Sequence, residues 1–389
     1  MKLDFINYRD SADRIIWDIP NIIENLFDEK TLVVYDIRSV IIEEALPHIP
    51  HVATYDQRVV PLLHNATLVC SEPFPVAILR YYKLHGLCQG AEVMTLPHQA
   101  GMTLTDQILH NDELCEKLKN VWYNRLVTFL PTQQSEKLAV KIGLPLHNSF
   151  SVSQAANDKV ALKEFLMTSW LPVIPGIITS DVDVLREYSQ RDEKYFIKMA
   201  HGASGYGLFV THDQPIEDII DGCNGERVIV EPKIWVVASP AVQFYCDEEK
   251  IYIVSIADQI LECGRYYIGN TYPSVYAKGK LGDEMIRQAE VVLAYIHATW
   301  YRGFGCVDMM VSDDDTVYIA EVNARFVGHT PASMVNFMLH KDINKPWKFI
   351  AYDEHEDSED NVLSATHGES FPICIGSLDT WKKAQFLER

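Results

Sequence analysis

The sequence contains GFGCVD at residues 303–308 and YIAEVNAR at residues 318–325, with the polar run SDDDT at 312–316 between them. Both arms are rich in apolar and β-prone residues and the polar run is typical of a turn, so the stretch predicts a β-hairpin. With residues 313–316 as the loop, the ladder pairs residue 312 with 317 and, further along, Asp308 with Glu321. The hairpin would therefore bring two carboxylates to one face of the sheet.

The opposed carboxylates of Asp308 and Glu321 need a compensating charge, because directly opposed Cβ atoms lie roughly 4.5–5.5 Å apart and like charges there repel. Asn323 and Arg325 follow on the face of Glu321, since side chains alternate along a strand. Two carboxylates, an amide oxygen and a guanidinium suit Mg²⁺ that carries substrate phosphates. The alternative is a solvated acidic hairpin, but apolar residues on the same strands favour a covered sheet: Val307, Met309, Ile319 and Val322.

The composition is that of a folded globular protein, with 389 residues, enough for two or three domains, and 48% hydrophobic content. No apolar run reaches the ~18 residues of a membrane helix, and the first residues lack the apolar core of a secretory signal. The eight cysteines show no Cys-x-x-Cys pair, and the 14 histidines show no zinc-site spacing. We therefore expect a cytoplasmic protein with buried thiols and no membrane contact.

The net charge is −20, from 34 basic and 54 acidic residues. A nucleic-acid-binding protein needs a concentrated basic face, so this balance argues against DNA or RNA as a partner. A nucleotide remains a suitable ligand, because a few lysines and a metal ion set the electrostatic field within a cleft.

Residues 1–150 alternate strand-like and helix-like segments, which predicts a parallel sheet with helices packed against it. Strands are expected at 31–35, 67–70 and 125–130, and a helix at 135–142 that stops at Gly143. The pattern Gly-x-Gly-x-x-Gly follows none of these strands, so this part is a poor candidate for a dinucleotide site.

The pattern changes to α+β after residue 150. A helix is expected from Lys159, strands at 195–199 and 227–231, a hairpin over 241–255 and a helix over 283–300. Residues 264–273 are rich in Tyr, Gly and polar residues, and we interpret them as a substrate-facing loop with Arg265 as a carboxylate anchor; a packed connector is the alternative. The tail predicts a strand near 372–375 and then a helix.

A glycine-rich loop follows the strand at 195–199 and contains Gly202, Ser204, Gly205 and Gly207. Glycines at this density let backbone N–H groups converge on phosphate oxygens, and Lys198 just before them supplies a positive charge. The spacing fits neither a P-loop, a dinucleotide turn nor a protein kinase. By itself, the loop is equally consistent with a flexible turn.

The order of these features resembles the ATP-grasp superfamily. A lysine at a helix start, a second lysine with a glycine loop, a strand ending in Glu231 and the Glu-Val-Asn-Ala-Arg run follow one another over residues 150–330. The most specific parts are that run and the 13-residue spacing from Asp308 to Glu321. The resemblance implies a fold in which two α+β lobes clamp ATP between their sheets.

The resemblance also implies how the nucleotide is held. Lys159 and Lys198 would contact the ATP phosphates, and the glycine loop at 202–207 would fold over them. Glu231 and the segment after it would form the hinge between the lobes and hold adenine and ribose; that segment supplies Lys233 and Ile234. A solvated helix lysine at 159 and a surface carboxylate at 231 are the alternatives for the two less specific positions.

For the metal, the resemblance implies that Asp308, Glu321 and Asn323 bind Mg²⁺, with Mn²⁺ as a substitute. Arg325 would act with Lys198 on the transferred phosphoryl group or would hold the substrate carboxylate.

The expected fold class is thus α/β and α+β. A Rossmann-like pre-ATP-grasp domain at residues 1–150 would precede a two-lobed ATP-grasp fold at 151–340, and residues 341–389 would form an extension packed on the catalytic unit. The first assignment rests on order and size, because that part of the sequence has no specific motif.

ATP-grasp ligases convert a carboxylate into an acyl phosphate, which an amine or a thiol then attacks. The resemblance therefore implies an ADP-forming ligase that activates an amino-acid carboxylate. The layout resembles ligases of peptide and antibiotic biosynthesis, and its size and motifs resemble butirosin-type ligases, which load glutamate onto an acyl-carrier protein. A carboxylate–amine ligase that makes a free dipeptide or amide, and a non-catalytic ATP-binding module, are the alternatives. A homodimer is one candidate assembly.

Overall fold

The computed structural model describes residues 3–39, 52–202, 207–262, 266–350, 370–375 and 381–386. Its helices are α1 (Ala12–Leu26), α2 (Val76–Leu84), α3 (Leu104–Leu109), α4 (Asp112–Lys119), α5 (Gln133–Ile142), α6 (Phe150–Ala156), α7 (Lys159–Thr168), α8 (Val182–Ser189), α9 (Ile216–Cys223), α10 (Gly279–Ala298) and α11 (Thr330–His340). Its strands are β1 (Asp4–Asn7), β2 (Thr31–Val34), β3 (Thr67–Cys70), β4 (Glu92–Thr95), β5 (Arg125–Thr128), β6 (Ile177–Thr179), β7 (Tyr195–Met199), β8 (Leu208–Val210), β9 (Val228–Pro232), β10 (Val236–Ala238), β11 (Pro240–Cys246), β12 (Lys250–Glu262), β13 (Tyr266–Tyr272), β14 (Gly303–Ser312), β15 (Val317–Asn323), β16 (Trp347–Ile350), β17 (Ser370–Ile375) and β18 (Trp381–Phe386). Two 3-10 helices span Ile37–Ser39 and Val52–Leu62.

The first sheet has four parallel strands in the order β4-β3-β2-β5. The strands expected near residues 31, 67 and 125 are confirmed as β2, β3 and β5. β2 and β3 are buried at every position, as is typical of a parallel sheet covered on both faces. The sequence analysis missed β4, whose residues Glu-Val-Met-Thr carry a weak strand signal.

The helix expected at 135–142 is α5. It begins with a capping box in which Thr132 and Ser135 satisfy each other's backbone N–H groups. It ends at Gly143, whose φ of +75° is a left-handed conformation that glycine adopts without strain. Both ends of this helix are therefore encoded locally.

The second sheet has four antiparallel strands in the order β6-β9-β7-β8. The strands expected at 195–199 and 227–231 are confirmed as β7 and β9. Helices α8 and α9 pack on this sheet and share with it a separate apolar core. It therefore forms a small α+β lobe.

The third sheet is the largest, with ten described strands. Its main path is β10-β14-β11-β12-β13-β16-β18-β17, with β15 paired to β14 and β1 paired in parallel to β12. β12 is 13 residues long; its first residues pair with β1 and its last with β13. The first strand of the chain is therefore part of a sheet that the second half builds.

The hairpin expected from the opening stretch is formed by β14 and β15, and Asp308 pairs with Glu321 as predicted. Nearer the turn, the predicted register is wrong by one residue. Val311 pairs with Val317, where the prediction paired Ser312 with Val317. The loop is thus one residue longer than expected.

A β-bulge at Ala320 restores the pairing at Asp308, because Ile319 pairs with the residue after Asp308 while Glu321 pairs with Asp308 itself. The extra residue also reverses the alternation of side chains. Ile319 and Val322 are both buried in the core, although strict alternation would place them on opposite faces. The bulge therefore lets Glu321 face the cleft while its apolar neighbours stay covered.

Two expectations for the second half are wrong. The segment interpreted as a substrate-facing loop is mostly strand, since residues 266–272 form β13 between β12 and β16. Its aromatic residues and Thr271 favour a strand. Arg265 lies outside the described residues. The helix expected at the end of the chain is also wrong: the last described element is β18, which pairs with both β16 and β17.

Six cysteines are buried and free, in agreement with the expected thiols: Cys70, Cys88, Cys115, Cys223, Cys246 and Cys306. In the part of the chain that the structure describes, none of the helices combines the length and apolar character needed to cross a bilayer.

Candidate active site

A cleft of about 860 Å³ lies where the three sheets meet. The N-terminal half contributes Tyr55 and Arg58, the small lobe contributes Lys198, and the large sheet contributes Asp308 and Glu321. This volume is at the upper end of the range for small-molecule sites. All three parts of the molecule thus supply polar side chains to one space.

The carboxylates of Asp308 and Glu321 share one hydrogen-bond donor. The Nδ2 atom of Asn323 donates to Asp308 Oδ2 at 2.8 Å and to Glu321 Oε1 at 3.0 Å. The thiol of Cys306 donates to Asp308 Oδ1 at 2.9 Å, while Arg325 donates to Asn323 Oδ1. The structure therefore brings the four residues of the predicted metal and transfer site together.

Asp308 and Glu321 are carboxylates buried side by side, and their pKa values are shifted in opposite directions. Burial and the nearby Glu321 carboxylate raise the pKa of Asp308 to about 7. Burial also acts to raise the pKa of Glu321, but Lys159, the Asn323 amide and Arg325 outweigh it and lower that pKa below its usual range. The surroundings therefore favour the neutral form of Asp308 more than that of Glu321, which the nearby cations keep ionised.

Lys159 lies at the first position of α7, which begins with the Asp158 side chain capping the N–H of Ala161. Its Nζ lies 3.2 Å from Glu321 Oε2 and donates to the carbonyl oxygen of Gly202 at 3.0 Å. Lys159 thus connects Glu321 to the first residue of the glycine loop. Its side chain is 17% exposed, which excludes the alternative of a solvated helix lysine.

Lys198 and Glu231 form an ion pair with 2.6 Å between Nζ and Oε2. Lys163, one turn after Lys159 on α7, lies 2.6 Å from the other oxygen of Glu231 and also donates to the carbonyl of Ile174. Burial acts to raise the pKa of Glu231, but the two lysines outweigh it and lower that pKa. Glu231 is 5% exposed, which excludes a surface carboxylate.

The glycine loop is described only at its two ends. Gly202 accepts the hydrogen bond from Lys159, and Gly207, at φ +75°, accepts one from the N–H of Met199 at 2.8 Å. Both line the cleft. Ser204 and Gly205 lie outside the described residues, so their predicted contact with phosphates stays a prediction.

The segment with Lys233 and Ile234 connects β9 of the small lobe to β10 of the large sheet, and both residues line the cleft. The N–H of Lys233 donates to the carbonyl of Lys194 at 2.8 Å, and its Nζ lies 5.9 Å from the ring centre of Phe196. The segment thus passes between two sheets, as expected of a hinge; its contact with adenine and ribose stays a prediction.

The side chains at the acidic pair fit Mg²⁺ or Mn²⁺ that arrives with phosphates. Such an ion takes oxygen ligands and keeps several positions for phosphates and water, so two carboxylates and one amide oxygen are a suitable protein share. The described residues contain no group of three or more His, Cys, Asp and Glu arranged to hold a metal by themselves. For Asn323 to present its oxygen, the amide must rotate and release Arg325.

The sequence analysis missed Tyr55 and Arg58, which line the cleft, and Lys163, which pairs with Glu231 without lining it. Lys163 carried a signal, because a lysine four residues after Lys159 lies on the same helix face. Tyr55 and Arg58 lie on a 3-10 helix between two strands of the first sheet, and their positions in the cleft depend on tertiary packing.

Comparisons with known proteins agree with this architecture. Residues 156–329 match the sequence family described as ATP-grasp domain, slightly less than half of the 389-residue chain. No curated protein matches the sequence. Among solved structures, biotin carboxylase from Campylobacter jejuni, in complex with β,γ-ATP, is similar with a TM-score of 0.61 at 13% identity, over 94% of this chain and 89% of that one.

Two further solved structures are similar. N5-carboxyaminoimidazole synthetase from Staphylococcus aureus, in complex with ADP, gives a TM-score of 0.58 at 10% identity over 92% of this chain and 94% of that one. D-alanyl-alanine synthetase A from Vibrio cholerae gives 0.52 at 15% identity over 80% and 93%. At such identities the likeness establishes the fold: an N-terminal α/β unit followed by the two lobes of an ATP-grasp fold.

Proposed function

We propose that this chain is an ADP-forming ligase that phosphorylates a carboxylate with ATP and passes the acyl group to an amine or a thiol. The observation that carries the proposal is the opposed pair Asp308 and Glu321, facing a cleft that also contains Lys159 and Lys198. Two of the similar structures hold an adenine nucleotide, which supports ATP as a substrate.

In this mechanism Lys159 and Lys198 bind the ATP phosphates by charge, and both must leave their present carboxylate partners to do so. Asp308, Glu321 and Asn323 would hold Mg²⁺, which would neutralise the charge of the phosphoryl group. Arg325, released from Asn323, orients the transferred phosphoryl group or the carboxylate. The glycine loop covers the site and excludes water.

The carboxylate oxygen attacks the terminal phosphorus of ATP, and ADP leaves with the electron pair of the broken P–O bond. The acceptor's nitrogen or sulfur then attacks the acyl carbon, phosphate leaves, and the acceptor's proton is released. Neither step needs a covalent nucleophile from the protein. Positioning and charge neutralisation are the main contributions of the cleft.

The proposed donor is an amino acid, and glutamate transferred to an acyl-carrier protein is the most specific candidate. A free dipeptide or amide is the rival product. We assign residues 1–150 to the preceding α/β domain, 151–340 to the catalytic domain and 341–389 to the C-terminal extension, with β1 contributed to the catalytic sheet.

The test is to incubate the purified protein with Mg·ATP and a panel of amino acids, with hydroxylamine to trap acyl phosphates. The panel is repeated with amines and with phosphopantetheinylated carrier protein. ADP release that depends on a carboxylate, together with a hydroxamate of the same acid, supports the proposal. Bound ATP without ADP release across the whole panel would contradict it and would favour a nucleotide-binding module.

A further inference from the structure

One side of the cleft is lined by three segments other than those assigned to the metal and the hinge. They are the residues after β2 and β5 in the N-terminal half, the end of β12 with the start of β13, and the loop between β15 and α11. We call this side of the cleft the substrate chamber. Five of its side chains are hydrocarbon throughout: Ile37, Phe129, Leu261, Phe326 and Val327. A large share of its wall is therefore apolar.

The three segments meet around Arg325. The guanidinium carbon of Arg325 lies 5.7 Å from the ring centre of Phe129, which follows β5. On the other side, Tyr267 pairs with Leu261 in the ladder of β12 and β13. Tyr267 approaches the loop after β15 so closely that a Cβ atom on Gly328 would lie 2.9 Å from its hydroxyl oxygen. The chamber therefore begins at the guanidinium assigned to the reacting group, and apolar side chains surround it from there.

The polar groups of the chamber wall already have partners within the protein. The hydroxyl of Tyr267 donates to Asn270 Oδ1 at 2.5 Å, so that its ring is the part left for a ligand. Arg58 is 2% exposed, and its guanidinium packs on Tyr55 and has a further partner in the chain. Of the two guanidinium groups in the described part of the chamber, that of the half-buried Arg325 is thus the one that can meet a ligand.

This arrangement distinguishes between classes of acid. Arg325 faces the reacting carboxylate or phosphoryl group, so a second carboxylate in the same molecule, as in glutamate, would be buried with no described cation left to pair with it. An uncharged polar side chain would give up hydrogen bonds to water against a hydrocarbon wall. A branched aliphatic or aromatic side chain gains free energy by leaving water for the same wall. The chamber therefore fits an apolar side chain best.

We propose that the acid activated in this cleft carries an apolar side chain, branched aliphatic or aromatic, which lies against Leu261, Val327 and Phe129. This inference rests on the proposed ligase function, and within it selects a hydrophobic amino acid over glutamate as the donor. Leu261 is then a specificity-determining residue, because it is half-buried near the end of β12 and borders the chamber on the side of the large sheet.

The experiment uses the full chain with Mg·ATP and with hydroxylamine as the acceptor, so that hydroxamate formation reports on the acid alone. It compares acids of similar shape and different polarity, valine with threonine and leucine with asparagine, and adds glutamate. We expect kcat/KM for the apolar member of each pair to exceed that for the polar member at least tenfold. A ratio near one in either pair, or glutamate as the best acid, would overturn the inference while the ligase function stands. If none of the acids gives ADP, the proposed function itself fails.

Substitution of Leu261 gives a second test. Leu261→Ala enlarges the chamber, so we expect the ratio of kcat/KM for phenylalanine to that for valine to rise at least fivefold, while the KM for ATP stays unchanged. An equal loss of kcat/KM for both acids would show that Leu261 has a structural role and would reject it as a specificity-determining residue.

Leu84→Ala is the matched control, because Leu84 is 85% exposed on α2 and does not line the cleft. We expect it to leave the ratio between the two acids unchanged. Circular dichroism checks the fold of both variants, and the comparison of acid pairs on the unaltered protein decides independently of them.

Discussion

Two clusters of charged side chains at the cleft have opposite imbalances of charge. At the small lobe, Lys163 and Lys198 share the single carboxylate of Glu231. At the large sheet, Asp308 and Glu321 share the single amide donor of Asn323. The first cluster has two lysines for one carboxylate, and the second has two carboxylates for one lysine, Lys159, which pairs with Glu321. We propose that a nucleotide phosphate and magnesium would balance these charges.

The comparison also shows how the clusters are connected. Lys159 pairs with Glu321 in the second cluster, and it lies on the same helix as Lys163 of the first. When a metal replaces Lys159 at Glu321, that lysine becomes available to phosphate. Metal and nucleotide binding should therefore assist each other through this one side chain.

The largest expected effect is on the second cluster. Glu321→Gln keeps the shape of the side chain but removes one charged ligand of the metal, so we expect turnover to fall at least about 100-fold. Steady-state ADP release measures this, and the unfolding midpoint should change little. Glu248→Gln, an exposed position in the turn before β12, is the control; near-normal turnover in Glu321→Gln would reject the metal site.

Two variants in the first cluster should separate an effect on the free energy of unfolding from an effect on ATP binding. Lys163 has a 4% exposed side chain and does not line the cleft, so we expect Lys163→Met to lower the free energy of unfolding by about 3 kcal/mol. Lys198 lines the cleft, and Lys198→Met leaves Glu231 paired with Lys163. We expect it to weaken ATP binding about tenfold with a smaller loss of stability.

Denaturant unfolding and calorimetric titration with ATP measure the two quantities for each variant. If both variants changed the same quantity to the same extent, the distinction between a structural and a ligand-binding lysine in this cluster would be wrong.

Lys159→Gln should change the affinities for Mn²⁺ and for ATP in opposite directions. It removes the cation that competes for Glu321, so free Mn²⁺ should bind about two- to fivefold more tightly, which corresponds to a partly exposed ion pair of up to about 1 kcal/mol. ATP should bind less tightly, because a phosphate contact is lost. Electron paramagnetic resonance of free Mn²⁺ and titration with ATP test this, and a parallel loss of both would contradict the exchange.

The smallest expected effect is the pH dependence of stabilisation by a metal ion. Burial and Glu321 raise the pKa of Asp308 to about 7, so at pH 6 a metal must displace its proton, whereas at pH 8 the carboxylate is already ionised. The groups around Asp308 include Glu321, Arg325, Cys306, Gln259 and Asn323. We therefore expect Mn²⁺ to raise the unfolding temperature more at pH 8 than at pH 6.

Asp308→Asn should remove this pH dependence, because the amide does not titrate. Thermal scans with and without Mn²⁺ at the two pH values are the measurement. Equal stabilisation of the unaltered protein at pH 6 and pH 8 would show that Asp308 is ionised throughout this range.

The sequence predicted the pairing of Asp308 with Glu321 but not the register of the hairpin nearer its turn. Turn residues and opposed carboxylates identify the pair at Asp308 and Glu321, but a bulge such as that at Ala320 has no local signal and arises from which side chains the core must cover. The strand at residues 266–272 was missed for the related reason that a neighbouring strand decides between loop and ladder.

The residues of the site also divide into those that the sequence predicted and those that could be found only from the fold. Lys159, Lys198 and the Glu-Val-Asn-Ala-Arg run occur in the order typical of the ATP-grasp fold, and their meeting was predicted from that resemblance, because Lys159 and Glu321 are far apart in the sequence. Arg58 is more than 200 residues away from that run and reaches the cleft only because the first half packs on the large sheet. Contacts of that kind need the fold before they can be inferred.

The parallel pairing of β1 with β12 has a consequence for biosynthesis. Asp4 pairs with Lys250, so β1 leaves the ribosome and waits for some 240 further residues before its partner strand exists. At about 5–20 residues per second, this delay is roughly 10–50 s. During that time the nascent segment has an unpaired backbone, and a chaperone that shields it would raise the yield of active enzyme more than one acting after release.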